Sequence, residues 1–374
     1  MEKYSAYRDP GTGVQPFLPL VPPPRDFLAK LSVPLALLLA VLRTALVLLL
    51  LLLQLILVEG ISIVFIPVPV LHRFVTRVFT LLTARLALFS LGVFWISVDN
   101  VTRKRGRGAK DIETWNPRAG DLIVSNWVSW VEILWLAFRF NPIFILPVTE
   151  TIIPSLVATA SEAITHTPGR RTGTGSANIT ANRGATVRVP IVGFRQVSLV
   201  SALRSTGTTP GAASGRYQNL EEIRSNATRP LVIFPECTTS NGRALLHFAN
   251  VFREKVPVRG YNVFVMCVRY DPPTRFAVTL AHTIPKALNP LSHVFSVATS
   301  LAPQAVSIRL LAPSESPSSP LFLASEVLTG SNEADPLADA CAALIAQIGK
   351  MKRTRMGWED KVSFLDLFHA KKKR

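Results

Sequence analysis

The stretch Leu231-Val-Ile-Phe-Pro-Glu-Cys-Thr-Thr-Ser-Asn-Gly-Arg243 decides how the chain is read. Leu231 to Phe234 is a short apolar run, the pattern of a buried strand. Pro235 ends it, because proline has no N–H to give a sheet ladder. The carboxylate of Glu236 follows, then three small hydroxyls, Thr238, Thr239 and Ser240. Asn241-Gly242 supplies a tight turn. Arg243 adds a fixed cation suited to a cluster of anionic oxygens. Strand, break and polar loop is how an α/β domain presents a site at the carboxyl edge of its sheet.

The same grammar recurs upstream. Asp121-Leu-Ile-Val124 reads as a strand, Ser125-Asn-Trp-Val-Ser-Trp-Val-Glu132 as a polar turn, and Ile133 to Phe138 as an apolar helix. Phe144 onward, Val187 to Arg195, Val263 to Tyr270 and Val306 to Leu311 read as further strands, and Tyr217 to Ser225 and Leu245 to Phe252 as helices. Residues 332–350 have helical periodicity, with Leu337, Ala340, Cys341, Leu344 and Ile348 on one side.

Phe234-Pro-Glu-Cys-Thr-Thr-Ser resembles the F-P-E-G-T-x-S block of the glycerolipid (PlsC-type) acyltransferases, with Cys237 in the place of glycine. The segment Asn126-Trp-Val-Ser-Trp-Val-Glu132 stands where that family carries N-H-x-S-x-x-D. Asn126 and Ser129 match, Trp127 replaces the histidine and Glu132 the aspartate. The first residues, Met1-Glu-Lys-Tyr through Pro19, look like those of the fungal lysophosphatidic acid:oleoyl-CoA acyltransferases. The resemblance implies acyl transfer from acyl-CoA to lysophosphatidic acid. Acyl-CoA is then a co-substrate, and no bound cofactor or metal is expected. It makes Glu132 and Glu236 the catalytic candidates. Asn126, Ser129, Arg195, Thr238, Thr239, Ser240 and Arg243 are the substrate-binding candidates, with Arg204 a rival to Arg195. Tryptophan cannot act as a base near neutral pH, so His247 is a candidate replacement. A membrane-anchored pseudoenzyme that binds lysophospholipid or acyl-CoA without catalysis is the alternative.

The net charge of +17 and the 48% share of hydrophobic residues point to an anionic membrane surface rather than nucleic acid. Leu31 to Val58 contains the run Ala45 to Leu53, without a polar residue, and is long enough to cross a bilayer. Pro67 and Pro69 break the next segment, and Phe74 to Ser97 is a second hydrophobic stretch. The region reads as a hairpin, either two spans or a wedge in one leaflet. Basic residues 103–110 flank it and favour the cytosolic side. Three cysteines far apart make neither a disulfide framework nor a zinc site. Lys371 and Lys372 resemble a dilysine retrieval signal.

The expected fold is α/β: a PlsC-type domain, a mixed sheet with flanking helices, behind an N-terminal membrane hairpin. The expected divisions are a polar arm (1–30), the hairpin (31–97) and a basic linker (98–120). The acyltransferase domain (121–311), with a mobile insert at 165–188, and a C-terminal extension (312–374) follow. The expected partners are membrane lipids, lysophosphatidic acid and oleoyl-CoA or a similar acyl-CoA. The expected location is the endoplasmic-reticulum membrane, with the domain facing the cytosol, and the lipid droplet on the wedge reading.

Overall fold

The computed structural model describes residues 4–24, 26–60, 64–65, 67–103, 113–150, 188–212, 216–328 and 334–372. The basic run at 104–110 and nearly all of the 165–188 insert lie outside these residues, as do the last two positions.

After a short helix α1 (Phe27–Leu31), α2 (Val33–Gln54) and α3 (Pro69–Ser90) form the hairpin. They are joined through a wider π-type turn at Leu55–Gly60. Gln54 locks the pair together. Its amide donates to Thr80 Oγ1 at 3.3 Å, and Thr83 Oγ1 donates to its carbonyl oxygen at 2.5 Å. Among the described residues, Val33–Val58 is the one helix long and apolar enough to cross a membrane. Leu38, Leu42, Leu49 and Leu52 are all exposed on it. The second hydrophobic stretch is shorter than expected: α3 stops at Ser90, and Ile96–Val101 is a strand, β1.

The remaining strands are β2 (Leu122–Ser125), β3 (Ile143–Thr149), β4 (Ile191–Val197), β5 (Gly211–Ala212), β6 (Leu231–Ile233), β7 (Ala244–Leu245), β8 (Val263–Tyr270), β9 (Val306–Leu311) and β10 (Lys352–Arg353). The main sheet of the described residues runs β1-β9-β8-β2-β6-β3-β4, with β5 beside β3. β2, β6 and β3 are parallel, as are β2 and β8, whereas β8 with β9 and β3 with β4 are antiparallel. The mixed α/β sheet expected from sequence is therefore present. It begins at Ile96, so β1 belongs to the domain rather than to a linker.

Both faces of the central strands are covered, which is why they read as continuous apolar runs. Ile123, Val232, Phe264 and Met266 point to a core shared with α3, α4 (Val131–Phe140) and α7 (Leu291–Ala298). Leu122, Val124, Leu231, Ile233, Val263 and Val265 point the other way. There they meet α8 (Pro336–Gly349), whose Leu337, Ala340, Cys341, Leu344 and Ile348 are buried as the periodicity predicts. Asp335 caps α8 by accepting from the Ala338 amide at 3.1 Å. α8 is thus a core helix of the domain rather than part of an appended extension.

α5 (Leu199–Arg204) and α6 (Leu220–Ser225) flank the sheet, and α9 (Trp358–Lys372) closes the described chain. Residues 245–252 are not the expected helix. Ala244–Leu245 pairs with β10, and the Ala249 amide donates to Pro235 O at 2.9 Å, so the segment folds back on the motif loop instead.

Candidate functional site

β2 and β6 are parallel neighbours, with Leu122, Ile123 and Val124 opposite Leu231, Val232 and Ile233. The loops after them leave the same edge of the sheet, so the two singled-out stretches meet. Glu236 joins them: Oε2 accepts the Trp127 amide at 2.7 Å and Oε1 the Leu246 amide at 2.8 Å. Two further links, the Ser240 amide to Trp127 O at 3.0 Å and the His282 amide to Val128 O at 2.9 Å, fix the first loop. The Trp127 indole stacks on Phe234, ring centroids 4.8 Å apart, and donates its N–H to Ser129 O at 3.2 Å.

Glu132, in the first turn of α4, folds back on the loop before it. Its Oε1 accepts the amides of Val128 at 2.5 Å and Ser129 at 2.6 Å, and Tyr270 donates its hydroxyl to Oε2. Burial pushes this carboxyl up to about 7 against the pull of those donors. Burial likewise pushes Glu236 up to about 8, opposed by the same two amides, and the Glu132 charge adds to the rise. Both side chains are fully buried and every oxygen already accepts a hydrogen bond. Neither lines the cleft over this junction: Glu236 ties the two loops together, and Glu132 holds the first of them.

A cleft of about 170 Å³ lies over this junction. It is lined by Trp127 and Cys237, by Leu146 to Val148 of β3, by Arg195 of β4, by the turn from Thr208 to Ala212, and by Arg216 and Tyr217. Arg216 reaches it because Gln218 and Phe194 exchange both backbone hydrogen bonds at 2.9 Å, laying residues 216–218 alongside β4. Arg195 sits opposite Leu146. Cys237 adopts φ +56°, the left-handed conformation that glycine enters freely.

Of the expected binding residues, Arg195 alone lines the cleft. Asn126 instead bridges β8: its Nδ2 donates to Val268 O at 3.0 Å and its Oδ1 accepts the Val268 amide at 2.7 Å. Ser129 is buried, its Oγ accepting the Val131 amide at 3.4 Å. Thr238 donates to Thr208 O at 2.8 Å and Thr239 to His282 O at 2.5 Å, while Ser240 Oγ accepts the Gly242 amide at 3.2 Å. These hydroxyls hold the loop and do not line the cleft. Arg243 is exposed outside the cleft, and so is Arg204 at the end of α5.

His247 also stays outside the cleft. Its amide donates to Met356 O, and burial together with Arg188 lowers its imidazole to about 4. Arg188 pairs with Glu359 at 2.9 Å and Asp360 at 3.7 Å, so this one described arginine of the insert is tied to α9.

Two participants escaped the sequence reading. Arg216 could have been found only through the pairing of residues 216–218 with β4. Lys361 of α9 is wholly buried, and its amine donates to Thr239 O at 2.8 Å and Thr239 Oγ1 at 3.1 Å. Burial drives that amine well below its ordinary pKa. On the other flank Asn241 donates to Gln15 O at 2.8 Å and Leu18 O at 3.0 Å. Tyr4, Tyr7 and Phe17 pack around Phe364 of α9, so the N-terminal arm and α9 together back the motif loop. No protein-family model, curated protein or solved structure matches the chain.

Proposed function

We propose that the chain is an acyl-CoA-dependent acyltransferase that converts lysophosphatidic acid to phosphatidic acid. The observation that carries the reading is the junction of the two motif loops, tied by Glu236 beneath a cleft walled by Arg195 and Arg216. Two guanidinium groups suit a phosphate. The cleft is smaller than the roughly 300–1,000 Å³ of sites for drug-sized ligands. It therefore suits a glycerophosphate head group, with the acyl chain lodged elsewhere.

The hairpin supports work at a lipid surface. Its exposed leucines would each cost about 1.5–3 kcal/mol in water relative to burial. α2 is about 33 Å long at 1.5 Å per residue, and Arg43 lies near its middle. Arg43 donates to Ala298 O at 3.2 Å and Ser300 O at 2.6 Å, which fastens the middle of α2 to the C-terminal end of α7. A helix crossing the roughly 30 Å hydrocarbon core would drag that edge of the domain to mid-bilayer. The hairpin is better suited to lie within one leaflet, with its exposed leucines among the acyl chains. Such a wedge also fits a droplet monolayer, and the basic balance fits the cytosolic face of the endoplasmic reticulum.

The test is transfer from labelled oleoyl-CoA to lysophosphatidic acid by the full chain in nanodiscs, with Arg195→Ala and Arg216→Ala beside it. Phosphatidic acid formation that falls at least tenfold in each variant supports the reading. No product above a mock preparation, with lysolipid still bound, sinks it. That result favours the non-catalytic binding protein, a second reading motivated by Trp127 filling the histidine position and by both carboxylates being tied to amides.

A further inference from the structure

The described walls of the cleft contain no base. The Trp127 N–H is only a donor. Burial holds the Cys237 thiol protonated. Glu132 and Glu236 lie behind the wall with their oxygens engaged. The nearby imidazoles do not line the cleft: His293 Nδ1 accepts from the Trp130 indole at 2.9 Å and its Nε2 donates to Thr279 O at 3.2 Å, while His282 Nε2 donates to Asn289 Oδ1 at 2.6 Å. What the cleft does offer is two cations, Arg195 and Arg216.

We propose, resting on the acyl transfer set out above, that the acceptor's own phosphate monoester, held by Arg195 and Arg216, takes the proton from the neighbouring glycerol hydroxyl. The hydroxyl oxygen attacks the thioester carbonyl carbon and forms the new ester C–O bond. Its O–H bond breaks, and the proton passes to a non-bridging phosphate oxygen. The C–S bond breaks with its electron pair on sulfur, and the CoA thiolate takes the proton from the phosphate. Atoms and charges balance with no further reactant.

A phosphate monoester, with a second pKa of about 6, is a weak base, and two guanidinium groups weaken it further. Proximity offsets this, since well-oriented intramolecular reactions reach effective molarities of about 10⁵ M or more. The consequence is head-group selection. An acceptor whose phosphate is a diester carries no comparable base, so it binds but reacts far more slowly.

The experiment compares three acceptors with the full chain in nanodiscs: 1-oleoyl lysophosphatidic acid, its methyl phosphodiester and its phosphorothioate. The methyl ester is expected to compete for the cleft and to be acylated about 10²–10⁴-fold more slowly, the usual worth of a general base. For lysophosphatidic acid, kcat/KM is expected to rise with pH through the monoester's second ionisation, at lower pH for the more acidic phosphorothioate. Acylation of the methyl ester within tenfold of lysophosphatidic acid overturns the proposal. So does a hundredfold loss on His166→Ala or Glu162→Gln, two titratable positions outside the described residues. If no acceptor reacts, the acyltransferase reading fails as well, whereas reaction of all acceptors alike removes only the phosphate base.

Discussion

Glu236 carries Trp127: its carboxylate accepts the Trp127 amide at 2.7 Å while the other oxygen accepts the Leu246 amide at 2.8 Å. Gln in its place can accept only one of these and turns an NH₂ toward the other. Orphaning one buried donor costs about 1–3 kcal/mol. We expect Glu236→Gln to lower stability by about that much and Glu236→Ala by more, read as the loss of thermal stability in detergent. An unchanged melting temperature in both would refute the positioning role.

Cys237 stands at φ +56° with its side chain against the cleft. A left-handed conformation costs an L-residue about 1–2 kcal/mol. The ordinary preference for alanine over glycine should therefore reverse here, with Cys237→Gly more stable than Cys237→Ala by about 1 kcal/mol. Equal unfolding midpoints for the two variants would contradict the backbone assignment.

His293 accepts from Trp130 on one ring nitrogen, so a proton there breaks that bond. Burial first, then the facing His282, lowers its pKa to about 3 from the usual value of about 6.5. The unfolded chain gains this proton below about 6.5 and the folded chain does not. The stability this histidine contributes is complete above pH 6.5 and drains away as pH falls toward 3, at about 1.4 kcal/mol per pH unit. His282 shifts in the same direction, to about 4, whereas the raised carboxyls Glu132 and Glu236 act oppositely. The clean measurement is the stability difference between wild type and His293→Gln at pH 7.5, 6 and 5. The wild-type advantage should shrink across the last two points, and a constant gap would show that the ring titrates normally.

A hairpin confined to one leaflet leaves its turn on the side it entered from. A glycosylation sequon inserted within residues 61–68 should stay unmodified in microsomes. Arg43→Leu should loosen α7 without releasing the protein from membranes. Modification of the inserted sequon would mean that α2 crosses the bilayer.

How much of this was legible in sequence depended on where each residue's partner lies. Uniform apolar runs marked β2, β6, β8 and β9, because strands covered on both faces need no polar side. The helical spacing of Leu337, Ala340, Cys341, Leu344 and Ile348 marked α8. Residues 245–252 look helical by pattern, yet a tertiary pairing with residues 352–353 overrides it. The two motif loops were visible from their order of apolar run, proline and polar residues. What their side chains touch was not legible: Thr238, Thr239 and Asn126 satisfy backbone groups distant in sequence, whereas Glu132 turns back on the amides three and four residues before it. Nothing in a string of letters tells a hydroxyl that waits for phosphate from one that holds a carbonyl. Arg216 was missed because its place depends on pairing with β4, and Lys361 because burying a lone lysine runs against its usual preference.

The backing of the motif loop by both Gln15 and Lys361 has a consequence for biosynthesis. The apolar hairpin emerges from the ribosome early and can enter a membrane while most of the sheet is still untranslated. The loop that floors the cleft gains its last supports only once residue 361 has been released from the exit tunnel. Contacts this distant along the chain form late and slowly. On the membrane reading proposed above, a half-made chain would already be at the lipid surface with its cleft unfinished, and translation itself would set the moment at which the cleft comes into being.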